Sequence, residues 1–190
     1  MGKAVNESLS IGTSKFIDYA NSSQRSDFLD IWLVANCCFT ISTSTGLDDV
    51  ANIFKRPIAF VNAAPLGEIA TCFNPNNIWL PKTIVWVENR RRLTLMEQIE
   101  TGAIRFLSDE HYRNAHVEVV DNTPEEITKT TMELEEKLTG KWQPHPQDEE
   151  LQNKFWEMLQ TWDHFHKLHG KIQSKMPDTF LRENHEWFLA

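Results

Sequence analysis

Cys37-Cys38-Phe39-Thr40-Ile41-Ser42-Thr43-Ser44-Thr45-Gly46-Leu47-Asp48-Asp49-Val50-Ala51 reads as an apolar strand over Cys37 to Ile41, a turn of small hydroxyl residues, and then a helix. Leu47, Val50, Ala51 and Phe54 recur at helical spacing, and the Ser/Thr/Gly stretch lets the chain turn tightly before them. A strand that feeds such a turn and helix is where α/β proteins hold phosphorylated ligands, because first-turn amides lack intrahelical partners and carry the positive end of the helix dipole. The hydroxyls of Ser42, Thr43, Ser44 and Thr45 add neutral donors around the same point. The same residue types also cap helices, and Gly46 also suits a plain turn. Two readings therefore stand side by side: a capped helix start, or an anion site over Ser42, Thr43, Ser44, Thr45, Gly46 and Leu47.

Working outward, Lys15 to Ala20 reads as a short strand, and Ser22 to Ser26 introduces an amphipathic helix with Phe28, Leu29, Trp32, Leu33 and Ala35 on its apolar side. On the other side, Lys55-Arg56-Pro57 ends the Gly46 helix, and Ile58-Ala59-Phe60-Val61 is an apolar strand that stops at Asn62. Strand, helix, strand, helix, strand predicts an α/β fold, a Rossmann-like parallel sheet with flanking helices. Right-handed crossovers then bring the ends of Ala20, Ile41 and Val61 to one sheet edge, where ligands bind, and gather Asp18, Ser22, Ser44, Asn62 and Glu68 there.

Ala63 to Pro81 is rich in Pro, Asn and small residues, and its length over that edge suits a lid. Ile84 to Val87 and His116 to Val120 read as extended pieces, with a short helix over Leu95 to Ile99. Thr123-Pro124-Glu125-Glu126 starts a helix with a capping box and a proline in the first turn, and the helix should run to Gly140. Gln143-Pro144-His145-Pro146 breaks the chain before an acidic start at Asp148 and an aromatic helix through Phe155, Trp156, Leu159 and Trp162. The expected division is one main domain over residues 1–140 and a helical tail over 141–190 packed on it.

The chain of 190 residues carries a net charge of −8, which argues against nonspecific binding to nucleic acid or to an anionic membrane. No apolar run reaches bilayer length, and Met1 to Ser14 is polar, unlike a signal peptide. Three cysteines make neither a disulfide framework nor a zinc set, so reduced thiols and a cytoplasmic location are expected. Asp163-His164-Phe165-His166-Lys167-Leu168-His169 is dense in ligand types, but its spacing favours surface and capping histidines, and no metal is expected. Arg90-Arg91-Arg92 reads first as a solvated face. Arg25 stands at a helix start near the sheet edge, free to meet an anion or to pair with Asp27 or Asp30. Asp48 and Asp49 suit the first helical turn but would repel an anion unless one binds a sugar hydroxyl or turns away. Neither a serine-histidine-acid set, a Walker loop nor a Rossmann dinucleotide fingerprint occurs.

A series of words runs along the chain: Asp18-Tyr19-Ala20, Arg25-Ser26-Asp27-Phe28-Leu29-Asp30-Ile31, Ile41-Ser42-Thr43-Ser44-Thr45-Gly46, Ile53-Phe54-Lys55-Arg56-Pro57-Ile58 and Val61-Asn62-Ala63-Ala64-Pro65-Leu66-Gly67. Asn122-Thr123-Pro124-Glu125-Glu126-Ile127, Trp142-Gln143-Pro144-His145, Leu168-His169-Gly170 and Phe180-Leu181-Arg182-Glu183-Asn184 continue the series over almost the whole chain. In this order the words resemble a family of bacterial glycosyltransferases of surface-polysaccharide synthesis. The resemblance implies the C-terminal, donor-binding half of a two-lobed GT-B-like enzyme, with the acceptor lobe expected to be absent from this chain. It implies a nucleotide-diphosphate sugar as substrate, no cofactor, and the turn Ser42 to Leu47 with Arg25 on the diphosphate. Asn62 and Glu68 become candidates for base or sugar contacts, and no catalytic residue is assigned. A second lobe or a homodimer is the expected partner. The alternative is a noncatalytic interaction module that keeps the α/β fold and grips a partner through aromatic residues such as Trp156, Trp162, Trp187 and Phe188.

Overall fold

Pro57 stops one helix and releases the chain into Ile58-Ala59-Phe60-Val61, whose bulky and β-branched residues form the middle of the sheet in the computed structural model, which describes Ser8 and residues 11–190. Strand β1 covers Thr40–Ser42, β2 Ile58–Ala63 and β3 Ile78–Pro81, parallel and in the order β1-β2-β3. Ile41 pairs with Ala59 and Phe60 with Trp79. Helix α1 (Asp27–Asn36) precedes β1, and α2 (Asp48–Ile53) crosses from β1 to β2. The molecule is thus α/β and Rossmann-like, a three-stranded parallel sheet flanked by helices, with a C-terminal helix.

Strand β4 (Thr83–Trp86) and β5 (Val117–Val120) form a separate antiparallel ribbon, with α3 (Leu95–Glu100) and α4 (Asp109–Asn114) between them. Helix α5 (Pro124–Thr139) begins with the Thr123/Glu126 capping box and ends at Gly140, whose φ of 71° is the left-handed cap that glycine adopts without strain. Helices α6 (Asp148–Gln160), α7 (Phe165–Leu168) and α8 (Asp178–Phe188) follow.

Alternation along β2 divides the packing. Ala59 and Ile78 meet Leu134 of α5, while Phe60 and Trp79 stack with ring centroids 3.6 Å apart and join the main cluster with Val34, Ala51, Phe155 and Leu181. The segment before α8 also enters the sheet. Lys175 pairs in parallel with Ile78, with Trp79 N donating to Lys175 O and Lys175 N to Asn77 O, both at 3.0 Å.

Three expectations need correction. Lys15 to Ala20 forms no strand: the chain makes a 3-10 turn at Tyr19–Asn21, and the Tyr19 hydroxyl donates to Ser26 O at 3.1 Å and accepts from Ser26 N at 3.2 Å. Ile17 is left exposed, so the segment has no buried face to direct strand pairing. The expected gathering of Asp18 and Ser22 at the edge falls with it. The strand at Cys37 starts later, because Cys37 closes α1, its thiol donating to Val34 O at 3.1 Å. Finally, Ala63 to Pro81 is no lid: Leu66, Gly67, Ile69, Thr71, Asn74 and Asn77 are buried, and the last four residues are β3 itself. The Asn77 side chain accepts from Ile58 N at 2.9 Å, tying this segment to the start of β2.

Candidate functional site

The end of β1 and the turn behind it border a cavity of about 420 Å3, within the size range of small-molecule sites. Its apolar wall comes from Leu33 and Val34 on α1, with Phe39 and Val61; its polar wall comes from Thr40, Ser42, Thr43, Thr45 and Asp48. Of the residues singled out from the sequence, the cavity brings together Ser42, Thr43, Thr45 and Leu47. Ser44, Gly46, Arg25, Asn62 and Glu68 are not on its lining.

Asp48 decides the chemistry of the turn. It is buried, accepts from Thr45 N at 2.7 Å, and takes a hydrogen bond from the Ser42 hydroxyl. Asp48 N in turn donates to Thr45 O at 3.0 Å. The expectation of open amides at this helix start is therefore corrected: the helix is six residues long, and its own carboxylate folds back over the turn. Burial raises the Asp48 pKa above the ordinary carboxylate range, opposed by the bonds from Ser42 and Thr45. Asp49 is exposed. The left-handed residue of the turn is Ser44, with φ 67°, and a Cβ on Gly46 would meet nothing within 4 Å. The cavity thus offers hydroxyls and one carboxylate acceptor, a set suited to a polyhydroxy ligand.

The other singled-out residues are engaged in the fold. Arg25 pairs with Asp30 at 2.5 Å. Asn62, with φ 54°, makes a reciprocal clasp with Asn122: each backbone N–H donates to the other's side-chain oxygen at 2.6 Å, tying the end of β2 to the start of α5. Glu68 accepts from Arg105 at 2.8 Å. The basic run is likewise partnered, Arg90 with Glu118, Arg91 with Glu97 at 2.7 Å, and Arg92 over the Trp187 ring.

In the histidine-rich segment, His164 and His166 are exposed while His169 is buried. The His169 ring stacks on Phe165 at 4.5 Å, with Nε2 3.1 Å from Gly67 O and Nδ1 3.4 Å from the Thr71 hydroxyl. Burial lowers its pKa, opposed by the Gly67 bond and by Glu68. Among the described residues, no group of three His, Cys, Asp or Glu side chains could hold a metal ion, and no helix is long and apolar enough to cross a membrane.

Sequence reasoning missed the network that fastens the C-terminal helices. Glu133, 1% exposed, accepts from Asp178 N at 2.7 Å and Thr179 N at 2.9 Å, capping α8 from α5. Lys137 bridges Glu133 and Asp178 at 2.7 Å each. Burial alone would lower the Lys137 pKa, and the two carboxylates outweigh it and raise it. Gln152 donates to Met176 O at 2.6 Å and to Asp178 at 2.8 Å, and Arg182 pairs with Asp148. The one sequence signal was the density of charged residues in the segments that become α5, α6 and α8.

Comparison of the chain with protein-family models, with curated proteins and with solved structures returned no match.

Proposed function

We propose that this chain is the donor-binding half of a glycosyltransferase, taking a nucleotide-diphosphate sugar and working with an acceptor-binding lobe. The observation that carries the reading is the cavity along β1, where Ser42, Thr43, Thr45 and the Asp48 carboxylate face a volume of about 420 Å3 at the end of a parallel strand. A carboxylate and several hydroxyls match the hydroxyl-rich part of such a donor, with Asp48 accepting from a ribose or sugar hydroxyl. The diphosphate then lies toward the exposed hydroxyls of Thr43, Ser44 and Thr45. Arg25 joins it only when the pair with Asp30 opens, and Asn62 and Glu68 keep their structural partners. The order of sequence words supports the same class. The reading carries a cytoplasmic location with it, in keeping with the free thiols of Cys37, Cys38 and Cys72.

The test is thermal unfolding against a panel of nucleotide-diphosphate sugars, with free nucleotides as controls. A donor present at a hundred times its Kd stabilises the native state by about 2.7 kcal/mol. One nucleotide class is expected to raise Tm in the wild type and less in Thr43→Val, which removes an exposed hydroxyl at nearly constant shape. A flat response across the panel counts against the donor reading.

The second reading, a noncatalytic interaction module, loses the expected grip of Trp156, Trp162 and Phe188, which are buried in the core, and draws instead on exposed residues around β1. Phe28, Trp32, Ile41, Ile53 and Phe54 are exposed on α1, β1 and the end of α2, more apolar surface than a solitary residue accounts for. Sedimentation across a concentration series checks it: a monomer at every concentration removes the homodimer, leaving the second lobe as the partner.

A further inference from the structure

A second cavity, about 890 Å3, lies away from β1, at the amino end of β3, between the 142–146 linker, α6 and the Lys175 segment. It shares no lining residue with the cavity along β1. In a parallel sheet the amino end of β3 faces away from the carboxyl edge, so this is a separate place on the fold.

Most of the charge on its walls is paired, with one carboxylate in excess. Lys137 is held by Glu133 and Asp178, and Asp148 by Arg182. The remaining charged side chains on the lining, Glu149 and Lys175, have opposite signs. The excess carboxylate disfavours an anionic ligand here. What the walls do offer is carboxamide: among the described residues the Asn76 and Asn153 side chains have no hydrogen-bond partner, and Gln173 spends one N–H on Cys72 O, leaving its oxygen. A carboxamide sets a donor beside an acceptor, the arrangement that matches neighbouring hydroxyls, each of which both gives and accepts. Trp142 and Trp156 add apolar surface to the same walls, and Pro144 and Pro146 restrict the linker backbone.

We infer that this cavity is a binding site for a neutral oligosaccharide, its hydroxyls read by Asn76, Asn153 and Gln173 and its apolar ring faces packed beside Trp142 and Trp156. The inference does not depend on the donor reading, because neither its residues nor its ligand charge class are shared with the cavity along β1. An anionic nucleotide is disfavoured here by the same excess of negative charge.

The experiment is a titration of the intact, isotope-labelled chain with maltotriose, cellotriose and N,N′,N″-triacetylchitotriose, followed by amide and tryptophan indole resonances. The Trp142 signal is assigned by Trp142→Phe. One trisaccharide is expected to give saturable shifts at Trp142 and Asn153 with the amides of Ser42 to Asp48 unmoved. Asn153→Ala and Asn76→Ala are each expected to weaken binding about tenfold, the scale of one lost hydrogen bond, with Tm unchanged because both side chains are exposed and without protein partners. Absence of saturable shifts up to roughly 10 mM, shifts confined to the β1 cavity, or full affinity in both asparagine variants would each overturn the site. A nucleotide-diphosphate sugar added in parallel reports on the donor reading through Ser42 to Asp48, so the two can fail separately.

Discussion

The two sides of the parallel sheet are built from the same kinds of residue and treated differently. On the β3 side, α5, α6 and α8 bury Phe155, Leu159, Leu181 and Phe188, and every charge drawn into that packing has a partner. On the β1 side, α1 and α2 are shorter, and Phe28 at 72% and Ile53 at 73% exposure face outward. Apolar composition thus says little about where stability is held; the number of elements converging on a side chain says more. The β3 side is the scaffold, and the β1 side carries the candidate donor cavity and an uncovered surface.

The largest expected effect comes from Phe155→Ala on the scaffold side. Phe155 is fully buried against Trp156 and Phe188, and the cavity left behind should cost about 3–5 kcal/mol in denaturant unfolding. Glu133→Ala should come close, about 3 kcal/mol, because it strands two amides at the start of α8 and leaves Lys137 with a single partner. Gly67→Ala sharpens the same contrast: its Cβ would stand 2.6 Å from Ile104 O and 2.8 Å from the Trp162 ring, and the overpacking should cost about 1–3 kcal/mol.

Acid should act on the scaffold through His169. Burial holds its pKa below the ordinary histidine value, so between the folded and unfolded pKa values the unfolded chain binds the additional proton. Stability from this group is present above about pH 6.5 and is lost as pH falls below it. Unfolding free energies measured from pH 7.5 to pH 5 should decline in the wild type and decline less in His169→Phe.

The smallest effects belong to the β1 side. Phe28→Ser and Gly46→Ala should each shift stability by no more than about 0.5 kcal/mol, the first because its ring is exposed, the second because its Cβ enters open space. A large loss in Phe28→Ser would show that this surface is covered in solution and would erase the distinction between the two sides.

Much of the scaffold was legible in the sequence where the governing contacts are local. Thr123, Pro124, Glu126 and Gly140 announce α5 at both ends because each acts on backbone groups within a turn or so of itself. The apolar run Ile58 to Val61 announces a buried parallel strand in the same way. The candidate site was legible only in part. Ser42, Thr43, Thr45 and Leu47 do line one cavity, but the folding back of Asp48 over the Thr45 amide competes with the anion role that the same words suggest. A short acidic residue in a first turn is compatible with both arrangements, and the pattern alone holds no information on the side-chain direction.

The amino-acid sequence by itself determined α1, β2 and α5, where period, capping and proline placement act over a few residues, but not β3, which lies at the end of a segment that reads as a loop. Only the tertiary structure decided that Lys175 joins the sheet beside Ile78, that Asn62 clasps Asn122, and that Glu133 caps a helix beginning 45 residues later. Those contacts form between groups whose encounter depends on how the whole chain closes, and a hydrogen bond or an ion pair leaves no periodic mark in the segments it joins.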